Sequence, residues 1–235
     1  MSHTLFFELR EALAGPECAL CALLRRSLRR YLDAVAYEGV GDRRVREVIR
    51  ASRGFCAAHG RMLRASRDAL GAAIVHRDVL GTLMRQLSEA QRTPPTIEAR
   101  LRRAVRRPAR DTSPLPAEAP CPACIYLREQ DEVYGSALAH HVGDGTLEGA
   151  LRASAGLCLP HLRATLARAP DTHTFDRLRE AQLEVWRRLA DELDEFIRKQ
   201  DYRFQAEPSG AESDSWARAI GLVSGEPGLI ADSWG

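Results

Sequence analysis

The stretch Cys18-Ala-Leu-Cys21-Ala-Leu-Leu-Arg-Arg-Ser-Leu-Arg-Arg-Tyr31-Leu-Asp-Ala-Val35 carries two patterns at once. Its cysteines stand three apart, a spacing that puts two thiols on one face of a helix's first turn. Its apolar residues Leu20, Leu23, Leu24, Leu28, Tyr31, Leu32 and Val35 recur at steps of three and four, the period of a helix face. The stretch therefore predicts a helix that opens on a pair of thiols. A helix N-terminus favours thiolate, the form that binds metal.

The pair returns as Cys121-Pro-Ala-Cys124, 103 residues later. Further matches follow in order. Tyr31 pairs with Tyr134, Val40-Gly41-Asp42 with Val142-Gly143-Asp144, and Arg50-Ala51-Ser52 with Arg152-Ala153-Ser154. Gly54-Phe-Cys56-Ala-Ala-His59 pairs with Gly156-Leu-Cys158-Leu-Pro-His161. A gap of one residue keeps all of these in register, so the chain reads as two copies of one module. Module one is assigned to residues 1–91 and module two to 121–206. A linker over 92–120 is marked by Pro94, Pro95, Pro108, Pro114, Pro116 and Pro120, because proline resists helix continuation. A short Arg-rich helix is expected inside it, around Ile97 to Arg107. Residues 207–235 form a tail rich in Gly, Ser and Glu. Its amphipathic stretch from Ser213 to Val223 includes Trp216 and is expected to dock loosely or not at all.

Helical periodicity continues outside the opening stretch. Val45, Val48 and Ile49 predict a short helix entered through Gly41-Asp42. Met62, Leu63, Leu70, Ile74, Leu80, Leu83 and Leu87 predict one long helix. Phe175, Leu178, Leu183, Trp186, Leu189, Leu193, Phe196 and Ile197 predict its counterpart. Strand signals are nearly absent, so the fold class is all-α: two related zinc-clamped helical modules.

Every cysteine falls in the repeated pattern. Each copy offers three thiols and one imidazole, the set a closed tetrahedral zinc site uses. The predicted ligands are Cys18, Cys21, Cys56 and His59, then Cys121, Cys124, Cys158 and His161. Two zinc ions per chain follow. An iron–sulfur cluster with the same donors is the rival, and a thiol redox sensor a further alternative. Pairing within each copy is the simplest assumption. The spacing does not rule out the swapped arrangement, with the first C-x-x-C joined to the second C-x-x-H. Four protein donors per site leave no open position, which argues against an enzyme working at the metal. There is also no phosphate loop, nucleophile elbow or catalytic triad pattern.

Other polar residues read more plainly. His140-His141 suits an exposed helix C-terminus. Gly41-Asp42 suits a turn, and His76 an ordinary surface or boundary position. Glu180, Glu184, Asp191, Glu192, Asp194 and Glu195 read as a solvated face.

Composition narrows the function classes. The chain has 34 basic and 32 acidic residues and 45% hydrophobic residues, an ordinary globular balance that does not mark its whole surface for nucleic acid. Lys199 is the only lysine. This Arg usage, with abundant Ala, reads as the coding bias of a GC-rich genome. The densest basic run, Arg100, Arg102, Arg103, Arg106 and Arg107, is still the place where phosphates would be neutralised if the chain binds nucleic acid. No apolar run approaches a membrane span. Met1–Arg10 lacks a basic segment followed by an apolar one, so a cytoplasmic chain without structural disulfides is expected. The leading reading is a zinc-stabilised interaction or regulatory protein whose partner is another protein.

The combination Cys18-x-x-Cys21 with Gly54-Phe-Cys56-x-x-His59, repeated as Cys121-Pro-x-Cys124 with Gly156-Leu-Cys158-x-x-His161, resembles a bacterial family of domains of unknown function. The resemblance runs over about residues 5 to 205. Leu157 stands where the first copy has Phe55, a conservative change. Pro122 has no counterpart in the first copy. The resemblance implies the metal sites and no particular activity.

Overall fold

The computed structural model describes residues 3–65, 68–89, 118–143, 145–204 and 206–229. All regular structure among them is helical, as the periodicity predicts. The helices are α1 (His3–Leu13), α2 (Ala19–Tyr37), α3 (Arg43–Ala51), α4 (Ala57–Arg64) and α5 (Ala69–Glu89). They continue with α6 (Pro122–Gly143), α7 (Glu148–Ala153), α8 (Leu159–Ala167), α9 (Thr172–Lys199) and α10 (Ser215–Ser224), the last preceded by a 3-10 turn, Ala211–Asp214. The chain divides into two compact units, residues 1–31 with 124–235, and residues 32–123.

The first unit has the larger core. Leu9, Leu20, Leu24, Leu28, Leu127, Leu138, Leu151, Leu157 and Leu178 are completely buried in it. Leu20, Leu24 and Leu28 are the repeating face of α2 that the sequence predicts. The tail differs from expectation, because its described part is docked. Leu229 is fully buried, and Arg25 is gripped by Glu17 and Glu226. Lys199 holds the buried Glu212 at 2.7 Å, and Arg218 pairs with Glu192. Ion pairs attach the tail where a search for apolar anchors would pick Trp216, which is 53% exposed. Trp234 lies outside the described residues.

In the second unit Asp42 caps α3, accepting from the Arg44 N–H at 2.7 Å and the Val45 N–H at 3.4 Å, as its turn position suggests. Where one long helix was expected from Met62 to Leu87, there are two. α4 ends at Arg64, and Asp68 accepts the Gly71 N–H at 2.8 Å, which starts α5 anew. An acidic cap outweighs continuous apolar periodicity here, because it satisfies a donor that the helix start would leave orphaned. Gly71 also sits against the last turns of α2: a Cβ there would lie 1.8 Å from the Ala36 carbonyl oxygen.

His140 and His141 fall in the last turn of α6, and His141 meets Phe6 edge-on. Glu184 and Glu192 of the expected solvated face are paired with Arg152 and Arg218.

Candidate metal centres

Each C-x-x-C or C-x-x-H pair begins a helix, as its spacing predicts. Cys56 and Cys158 are the N-cap residues of α4 and α8. Cys18 precedes α2, and its carbonyl accepts the Ala22 N–H at 3.0 Å. Cys121 precedes Pro122, the first residue of α6. Proline is well placed at the first helical position, because its missing N–H would be unpaired there in any case. The second member of each pair lies in the first turn, on the side of the first.

Two glycines shape the approach to the C-x-x-H pairs. Gly54 has φ +95° and Gly156 has φ +78°, the region that side chains avoid. These turns carry the chain from α3 into α4 and from α7 into α8. Ser154 Oγ accepts the Gly156 N–H at 2.9 Å, while Ser52 Oγ donates to the Gly54 carbonyl at 2.8 Å. Gln182 fixes the second turn further. Its side-chain carbonyl accepts the Leu157 N–H at 2.9 Å, and its amide donates to the Leu157 carbonyl at 3.2 Å. Gln182 is a site residue that the sequence reading missed, since it lies in a charged run of α9.

The eight predicted donors fall into two groups. Cys18, Cys21, Cys158 and His161 form one; Cys56, His59, Cys121 and Cys124 form the other. Within each group the donor atoms lie within 4.8 Å of one another, close enough to hold a metal ion. The assumption that pairs join within each copy is therefore overturned. Each C-x-x-C joins the C-x-x-H from the other half of the chain. Spacing along the chain carries no information on which of two similar pairs lies nearer in space.

In the first group His161 Nδ1 lies 3.1 Å from Cys158 Sγ, 3.4 Å from Cys21 Sγ and 3.6 Å from Cys18 Sγ. Cys21 and Cys158 are 3.7 Å apart. In the second, His59 Nδ1 lies 3.3 Å from Cys56 Sγ and 3.6 Å from Cys121 Sγ. None of the six cysteines is in a disulfide.

In the first group the thiols and the imidazole shift one another's protonation. Burial acts to raise the Cys18 thiol, but hydrogen bonds from Cys158, Cys21 and His161 overcome it and bring Cys18 well below the ordinary thiol range. Cys21 moves the other way, raised by its contacts with Cys158 and Cys18 and by burial. Burial acts to lower His161, and Cys158 and Cys18 outweigh it, raising the imidazole to about 10.

The helical fold and the two Cys/His clusters define a class: an all-α protein with two sites able to hold metal. The chain matches the family of unknown function DUF6062 over residues 5–228 and belongs to it. A stretch of 63 residues is 36% identical to an uncharacterized 23.9 kDa protein in the xynA 3' region of Caldicellulosiruptor sp. (strain Rt8B.4). That match covers 27% of this chain and 30% of the other. No solved structure matches. The arginines considered for nucleic acid, Arg100, Arg102, Arg103, Arg106 and Arg107, lie outside the described residues. Among the described residues no helix is long and apolar enough to cross a membrane.

Proposed function

We propose that the chain is a zinc-stabilised interaction or regulatory protein of the cytoplasm, holding two structural zinc ions in closed sites of three cysteines and one histidine. The observation that carries this is the donor geometry. A tetrahedral zinc, with Zn–S of about 2.3 Å and Zn–N of about 2.0–2.1 Å, sets sulfurs about 3.8 Å apart and sulfur from nitrogen about 3.6 Å. In the first cluster the corresponding distances are 3.7 Å and 3.1–3.6 Å. Four protein donors fill a tetrahedron, so the ion would fasten helix starts together and leave no position for a substrate. Zinc suits closed nitrogen and sulfur sites and resists redox change. The wider role would then lie on the surface. α5 supports a protein partner there, with Leu70, Leu80, Met84 and Leu87 largely exposed along it.

Metal analysis with an absorption spectrum of the freshly purified chain tests this reading. Two zinc ions per chain and no visible colour are expected. Iron with visible absorption would replace zinc by a cluster and the structural role by electron transfer or sensing.

A further inference from the structure

We infer that Asp131, anchored by Arg168, is a positioning residue for the first metal centre: it fixes the His161 ring so that Nδ1 faces the metal. The inference rests on the metal reading above and assigns a role to residues outside the ligand motifs.

A histidine that binds metal through Nδ1 carries its proton on Nε2. His161 is buried, so this N–H needs an acceptor inside the protein. Asp131 Oδ1 faces His161 Nε2 at 3.5 Å, short of a formed hydrogen bond, and neither buried atom has any hydrogen-bond partner among the described residues. Asp131 is itself buried, 5% exposed, on α6. Its other oxygen accepts from Arg168 Nη2 at 2.7 Å. His161 and Arg168 are seven residues apart at the two ends of α8, two turns along one face. The carboxylate therefore stands between the two, bonded to Arg168 and facing His161. Ligating histidines commonly give their second ring N–H to a carboxylate, which fixes the ring's tautomer and orientation and raises its basicity.

A glycine in the middle of α6 belongs to the same arrangement. A Cβ at Gly135, one turn beyond Asp131, would lie 2.4 Å from Arg168 Nη1. The absence of a side chain there lets the guanidinium lie against α6 and reach Asp131. Glycine is unfavourable in a helix interior, so its presence needs such a reason. At the 103-residue offset Asp131 corresponds to Leu28 and Gly135 to Leu32.

The test is a competition titration of the zinc-loaded full chain against a chelating indicator, read for each ion. The wild type should release two ions. Asp131→Asn should weaken one of them by about 10–100-fold and leave the other unchanged. Glu132→Gln removes the other carboxylate on Arg168, 3.0 Å from Nε, and should change neither. Unchanged affinity in Asp131→Asn, or an equal loss in Glu132→Gln, overturns the inference while leaving the metal reading intact. A wild type that takes up no zinc overturns both. Nitrogen-15 spectra of the zinc-loaded wild type give a readout free of mutation. His161 bound through Nδ1 with a slowly exchanging Nε2–H is expected. Binding through Nε2 would overturn the assignment even if the variants fail to fold.

Discussion

The two clusters share one ligand set and differ in what surrounds it. In the first, Cys21, Cys158 and His161 are buried and Cys18 keeps partial access. In the second, His59 and Cys124 are buried, while Cys56 and Cys121 both keep partial access. Gln182 clasps the turn before Cys158 through two hydrogen bonds. At the turn before Cys56 a Cβ on Gly54 would find, among the described residues, only the His76 ring within 4 Å, at 3.7 Å. Identical motifs can thus sit in unequal environments, and the inequality comes from residues outside the motifs.

Ligand removal gives the largest expected effect. Cys158→Ser should destabilise the metal-loaded chain by about 5 kcal/mol, because it removes a donor from a buried cluster and leaves polar groups unpaired there. Cys56→Ser should cost less, about 2–3 kcal/mol, since water reaches that position. Thermal or denaturant unfolding measures both. Equal losses would abolish the distinction between the clusters.

The turn glycines separate the sites by a smaller margin. Gly156→Ala places a Cβ 2.8 Å from Gln182 Nε2 and Val185 Cγ1, on a backbone that already has positive φ. A cost of about 2–4 kcal/mol is expected. Gly54→Ala meets only the backbone strain and should cost about 1–2 kcal/mol. The reverse order would mean that Gln182 gives way without resistance.

The smallest effect concerns the tail, which is secured to the first unit. The Lys199 ammonium and the Gly210 N–H lower the Glu212 carboxyl from 4.5 to about 2. A carboxylate with a depressed folded value adds stability above its unfolded value, and that stability disappears as pH falls from 4.5 towards 2. Glu212→Gln should therefore lower the thermal midpoint at about pH 5, and the difference from wild type should shrink by about pH 3. A constant difference would show that the carboxylate charge does not secure the tail.

The sequence made the helices and the eight clustered cysteines and histidines legible, because thiols three apart and apolar residues at steps of three and four are local patterns. Which pairs meet was not legible, because the partners are 137 to 143 residues apart in the first cluster and the two halves offer similar ends. Asp131 was hidden among Glu129 and Glu132, where a carboxylate reads as solvated surface. Gln182 was hidden likewise among the charges of α9. The break between α4 and α5 was missed because apolar periodicity continues through it while the signal that matters is a single capping aspartate.

Counting zinc in paired cysteine variants tests the central claim most directly. Cys18→Ser with Cys158→Ser disables one cluster, and one zinc ion per chain should remain. Cys18→Ser with Cys56→Ser disables both, and none should remain. The opposite pattern, with an ion kept in the second pair and lost from the first, would show that the ligand pairs join within each half of the chain and would contradict the account.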